Sequence, residues 1–212
     1  WAPSERKSLD GCGALVAQDD AGVLIKLPRS PGAVPSLIVL DPLCPACRAF
    51  EHRLGETQLG AKLARDLLLF PLDSSCNWMV KNSLHPGACA VSEAVLCAEG
   101  DAEAVLKWAF DEQQRLLELG KTDDGALRAE IAKRFPKIAG CLGSAAVKAK
   151  VNKSLRFAVA NALPVLTPQL YVDGIRLCDE DTDLGIEFAL GRMIERAGSV
   201  KTGVTPGAGG GQ

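Results

Sequence analysis

Ser36-Leu37-Ile38-Val39-Leu40-Asp41-Pro42-Leu43-Cys44-Pro45-Ala46-Cys47 is the stretch whose reading decides the fold. Residues 36–40 form a short apolar run with branched side chains, the pattern of a central strand covered on both faces. A CxxC follows at once, and behind it a helical pattern runs to about Leu59, with Phe50 and Leu54 four apart on one face. A CxxC that leaves a buried strand and opens a helix reads as a redox motif by its context. Cys44 then sits near the helix N-cap, where unpaired N–H groups and the helix dipole favour a thiolate. The thiolate is the attacking and leaving species in disulfide exchange. Cys47 lies one turn on, within reach of Cys44. Pro45 suits the first helical position, where its missing N–H is not needed. Pro45 and Ala46 bring neither a cation nor an aromatic ring, so the motif alone does not place the pair on the scale from reducing to oxidising. The competing readings are a structural CxxC bridge and half of a metal site.

Working outward, Val23–Leu27 reads as a first strand closed by Pro28, and Leu67–Phe70 as another buried strand stopped by Pro71. Residues 74–160 are helix-like, with candidate helices over 75–82, 88–98, 101–119, 123–134 and 144–159. Asp101 is read as the cap of the third, Gly120 as its end and Ser144 as the cap of the last. Gln169–Val172 is a strand, Asp173-Gly174 a hairpin turn, and Ile175–Leu177 the returning strand. A last helix is predicted over 182–197. The expected fold class is α/β, a central mixed sheet with a large all-helical insertion. The expected organisation is an irregular lead-in (1–22), one domain (23–197) with the insertion at about 74–160, and a flexible Gly-rich tail (198–212).

The chain has 212 residues, 47% of them hydrophobic and 24% charged, with a formal net charge of −2. The absence of a basic surplus or Lys/Arg stripe argues against nucleic acid and against a polybasic membrane anchor. No apolar run is long enough for a transmembrane helix. Trp1–Lys7 is polar and unlike a signal peptide, so a chain opening at Trp1 reads as a processed or excised piece, with the soluble part of a membrane-anchored protein as one such origin. The eight cysteines contain one CxxC. That favours structural disulfides and an oxidising compartment over zinc.

Thr167-Pro168 precedes the 169–172 strand. In this context Pro168 is read as a cis proline facing the CxxC, with Thr167 backbone groups free to pair with an extended substrate segment. The missing proline N–H also removes a competing donor near the sulfurs.

Cys44-Pro45-Ala46-Cys47 after a short strand, with Thr167-Pro168 before Asp173-Gly174, resembles the DsbA-type thioredoxin-fold disulfide oxidoreductases. Pro71-Leu72-Asp73-Ser74-Ser75-Cys76-Asn77, His85-Pro86-Gly87-Ala88-Cys89 and Leu96-Cys97-Ala98 point to a nearer likeness, the thioredoxin-like domain fused to bacterial vitamin K epoxide reductase homologues. The resemblance spans about residues 23–197. It implies an extracytoplasmic thiol-disulfide oxidoreductase, favouring dithiol oxidation, with Cys44 as exposed nucleophile, Cys47 as resolving thiol and Pro168 as the cis proline. It implies no bound cofactor, reduced secreted proteins as clients, and a quinone-linked membrane oxidoreductase of the vitamin K epoxide reductase or DsbB type as reoxidant. The chain is expected to be a monomer in the periplasm or a similar space. A reductase or isomerase using the same CxxC is the alternative, a disulfide-stapled interaction domain without catalysis the second, and a small-molecule peroxidase the third.

Of the other cysteines, Cys76 and Cys89 would close a loop of about 14 residues, worth up to about 3 kcal/mol in the chain-entropy model. Cys97 with Cys141 would staple inserted helices, and Cys12 with Cys178 follows by elimination. Six cysteines allow 15 connectivities, and one pair could instead serve as a redox relay. Asp41 is read chiefly as a cap for the Pro42 turn, with thiol tuning as the alternative. Glu51, one turn beyond Cys47, either faces inward toward Cys47 or is ordinary surface, the latter preferred. His52 and His85 have bland readings, His85-Pro86-Gly87 as the turn into the 88–98 helix.

Overall fold

The computed structural model describes residues 11–16, 22–182 and 185–202. The expectations for the rest of the lead-in and for most of the Gly-rich tail lie outside these residues. The order is β1 (Ile25–Lys26), β2 (Val34–Leu40), α1 (Pro45–Glu56), β3 (Leu63–Leu69), α2 (Ala88–Cys97), α3 (Ala102–Asp111), α4 (Gln113–Thr122), α5 (Asp124–Arg134), α6 (Ala145–Ala160), β4 (Gln169–Val172), β5 (Ile175–Arg176), α7 (Asp179–Thr182) and α8 (Ile186–Thr202).

The strands form one mixed sheet in the order β1-β3-β2-β4-β5. β2 lies parallel to β3, with Ile38 opposite Leu67, and antiparallel to β4, with Ile38 opposite Leu170. Side chains alternate between the two faces of a strand. Leu37, Ile38, Val39 and Leu40 are nonetheless all buried, so both faces of β2 are covered. This is the continuous apolar run of a central strand. α6 packs on β3, and α8 on β2 and β4. The α/β mixed sheet with a helical insertion between β3 and β4 is therefore the observed architecture. Among the described residues no helix is long and apolar enough to cross a membrane.

Several element boundaries differ from the sequence reading. No helix forms over 75–82. Asp73 Oδ1 accepts from Ser75 N–H at 3.1 Å, Asn77 Oδ1 accepts from Met79 N–H at 3.0 Å, and Asn77 Nδ2 donates to Pro71 O at 2.8 Å. Such local side-chain bonds offer the backbone an alternative to the helical ladder. The helix expected over 101–119 is two helices, broken at Glu112 (φ −101°, ψ 11°). Asp101 makes no side-chain cap bond, whereas Ser144 caps α6 by accepting from Val147 N–H. Gly120 lies inside α4 and does not end it. A Cβ there would sit 2.3 Å from Pro86 O and 2.9 Å from Gly87 Cα, so glycine is what lets α4 approach the loop before α2. The last helix starts at Ile186 and runs to Thr202, and the first strand is only two residues long.

Candidate functional site

β2 ends at the centre of the sheet and delivers its chain directly into α1, so the motif lies at a strand end under a helix N-terminus. Cys44 is the N-cap of α1, with extended backbone and Pro45 behind it in the first turn. Its sulfur accepts from Cys47 N–H at 3.4 Å. Its own N–H donates to Asp41 O at 3.1 Å, which closes the turn between strand and helix. Cys44 and Cys47 are the unbonded pair among the eight cysteines.

The Thr167–Pro168 peptide bond is cis, and it begins β4, the neighbour of β2. Cys44 Sγ lies 3.7 Å from Thr167 O. The Thr167 hydroxyl is buried and has no hydrogen-bond partner of its own. Its place beside the motif favours the ionised form of both sulfurs. The expected exposure of Cys44 is not what the structure shows. The residue is only 4% exposed, because the Thr167 loop lies against its sulfur; Cys47 is 0% exposed. A cleft of about 520 Å³ adjoins the motif, lined by Ala46, Phe50, Arg53, Leu166, Thr167 and Pro168 but by neither cysteine.

The two sulfurs differ in acidity. The hydrogen bond from Cys47 is the largest influence on Cys44 and brings it down to about 6, with Thr167, the Cys47 N–H and the charge of His85 adding to the effect against burial. Burial is the largest influence on Cys47 and drives it well above the ordinary thiol value, and the hydrogen bond and charge of Cys44 push it the same way. One thiol is thus prepared to be a thiolate and the other to hold its proton.

Asp41 is fully buried and does more than cap its turn. Oδ1 accepts from Leu43 N–H at 2.7 Å, which is the capping role. Oδ2 accepts from Leu72 N–H at 2.7 Å and meets His85 Nδ1 at 2.8 Å. His85 was legible only as a turn residue, since the contact with Asp41 joins positions 44 apart in sequence. The one available signal was scarcity: the chain has two histidines. Burial lowers the pKa of His85, but the Asp41 hydrogen bond and charge, then Cys44 and Asp73, outweigh it and raise the pKa above the ordinary histidine value.

The Glu51 side chain is neither surface nor turned to Cys47. It accepts from Arg65 Nη1 at 2.9 Å, its other oxygen is buried without a partner, and burial raises its carboxyl above the usual range. His52 pairs with Glu56 on the exposed side of α1.

The remaining cysteines form three disulfides, Cys76–Cys89, Cys97–Cys141 and Cys12–Cys178. The first closes the loop that carries His85. The last ties residues 12–15, which bond to the 174–176 hairpin, to the chain after β5. No group of three or more potential metal ligands occurs among the described residues.

Solved structures share this fold. The catalytic domain of Proteus mirabilis ScsC superposes with a TM-score of 0.52 at 18% identity, covering 82% of this chain and 90% of that one. Pseudomonas aeruginosa DsbA gives 0.56 at 17% identity, covering 84% and 94%. Wolbachia pipientis alpha-DsbA1 gives 0.56 at 14% identity, covering 84% and 93%. The fold is thioredoxin-like, of the DsbA and ScsC kind. At these identities the likeness is one of fold, and it does not single out the domain fused to vitamin K epoxide reductase homologues. No family model and no curated protein matches the sequence.

Proposed function

We propose that the protein is an extracytoplasmic thiol-disulfide oxidoreductase that oxidises dithiols of secreted proteins through Cys44 and Cys47. The observation that carries this reading is the unbonded Cys44–Cys47 pair at a helix N-terminus beside a cis Thr167–Pro168, in a chain whose other six cysteines are bonded. In the oxidised enzyme a client thiolate attacks the Cys44 sulfur. A client–Cys44 bond forms, the Cys44–Cys47 bond breaks, and Cys47 leaves and takes up a proton. A second client thiolate then attacks the client sulfur of the mixed disulfide. Cys44 departs as a thiolate, and the client leaves with a disulfide, two electrons poorer. A thiol with a low pKa is the better leaving group in that second step. Asp41 and Thr167 support Cys44, while Pro45, Ala46, Thr167 and Pro168 form the edge along which an extended client segment would lie. Glu51 with Arg65 supports α1 without touching the sulfurs. The electrons would pass to a quinone-linked membrane oxidoreductase of the vitamin K epoxide reductase or DsbB type, in the periplasm or a comparable space.

The test is the equilibrium potential of the pair in glutathione buffers, with mass spectrometry assigning each cysteine. A value of about −120 to −180 mV is expected, the range of dithiol oxidants and isomerases. A value near −270 mV would make the protein a reductase instead. A pair inert at every glutathione ratio would leave a stapled domain without this activity.

A further inference from the structure

The dipeptide inside the motif, Pro45-Ala46, carries no positive charge. The fold brings a titratable base from elsewhere to the strand end, His85, whose Nδ1 meets Asp41 Oδ2 at 2.8 Å. Asp41 sits three residues before Cys44, fully buried, with one carboxylate oxygen occupied by Leu43 N–H and the other shared by Leu72 N–H and His85 Nδ1. A buried carboxylate is costly unless it is paired, so its geometry is well determined. The backbone of His85 is held as well, because its main-chain N–H donates to Leu72 O at 3.2 Å. The loop around it is held again by Asp73, whose Oδ2 accepts from Gly87 N–H at 3.0 Å and from Cys89 N–H at 3.2 Å, and by the Cys76–Cys89 bridge. α4 presses on the same loop through Gly120, which offers no side chain and no charge.

We propose that His85, oriented by Asp41, is the positioning residue that holds a positive charge beside Cys44 and so stabilises its thiolate, replacing the basic group that Pro45-Ala46 lacks. This rests on the reading of Cys44 and Cys47 as an exchanging pair. His85 transfers no proton in this role. Burial works against its protonated form, and Asp41 at the end of β2, the Cys44 sulfur at the start of α1 and Asp73 after β3 favour it and prevail. When Cys44 leaves a mixed disulfide, its new negative charge appears opposite one already in place. When Cys44 is bonded to Cys47 or to a client, the imidazolium faces only the two carboxylates.

Two measurements decide it. Asparagine at position 85 can still donate to Asp41 but carries no charge. In His85→Asn the pH midpoint for alkylation of Cys44 in the reduced protein is expected to rise by about one unit, and the equilibrium with glutathione to shift about tenfold toward the protein disulfide. An unchanged midpoint in a folded variant would overturn the proposal. The second measurement uses the native chain, so a variant that fails to fold does not block the test. Coupling between two sites is reciprocal. The His85 ring resonances should therefore titrate at higher pH in the dithiol form than in the disulfide form. Equal His85 midpoints in the two forms would equally overturn it. Alkylation and ring titration read His85 even if the pair fails to exchange with glutathione, and that failure would count against the proposed function alone.

Discussion

At the residue scale the site depends on an asymmetry between two sulfurs one helical turn apart. The hydrogen bond from Cys47 brings Cys44 down to about 6, whereas burial holds Cys47 well above the ordinary thiol value. Replacing Cys47 by serine should leave a Cys44 that still attacks disulfides but cannot resolve the product, so mixed disulfides should accumulate and be caught by mass spectrometry. Cys44→Ser should form none. The acidity of Cys44 also enters the stability of the reduced protein. A group whose constant is lowered on folding stabilises the fold above its unfolded value and loses that contribution as pH falls through its folded value. For Cys44 the window runs from about 9 down to about 6. The gap in unfolding free energy between reduced wild type and Cys44→Ala should shrink across that window as pH drops. His85 works in the opposite sense, since its raised constant gives stability that is lost as pH climbs through the folded value. Both reduced proteins carry His85, but the variant lacks its Cys44 partner, so the comparison reads the pair and not the whole titration. Cys44 and Cys47 were legible because strand, motif and helix start are contiguous. The Asp41–His85 contact was not, because neither residue carries a local pattern and the loop after β3 that carries His85 has no period to read.

At the element scale the loop from Asp73 to Gly87 is the part that sequence periodicity misjudged. Its apolar residues suggest a helix over 75–82, yet Asp73 and Asn77 draw the backbone N–H groups into turns. Gly120 was misread for a related reason. A glycine late in a helical pattern looks like a stop signal, but here it marks where two elements nearly touch. Gly120→Ala should be tolerated poorly, because the atom that its Cβ meets is the Pro86 carbonyl and not a flexible side chain. A loss of about 1–3 kcal/mol is expected in reversible urea unfolding, the usual range for overpacking. Displacement of the 85–87 loop should also raise the alkylation midpoint of Cys44. If stability falls while that midpoint stays fixed, the loop and the thiolate are less tightly joined than the contacts imply. The central strands, by contrast, were better marked: Ser36–Leu40 and Gln169–Val172 fall inside observed strands, and the expected Leu67–Phe70 overlaps β3, which begins earlier at Leu63 and ends at Leu69.

At the scale of the whole molecule, the three disulfides span very different lengths of chain, with sequence separations of 13, 44 and 166. If each acts mainly by restricting the unfolded chain, the cost of removing it grows with the loop it closes, to about 3, 4 and 5 kcal/mol in that order. The folded structure suggests a different ranking. Cys89 is buried within the Asp73 network, whereas the segment bonded through Cys12 is held otherwise by backbone bonds to the 174–176 hairpin and by Val16 N–H donating to Asn161 Oδ1 at 3.0 Å. Paired cysteine-to-alanine variants, unfolded by urea with Cys44 and Cys47 kept reduced, separate the two views. The unfolded-chain account expects Cys12–Cys178 to cost the most and Cys76–Cys89 the least. The opposite order would show that native packing around Cys89 dominates. In that case the bridge beside His85 serves the site as much as the stability of the chain, and its removal should raise the Cys44 alkylation midpoint while removal of Cys12–Cys178 leaves it unchanged.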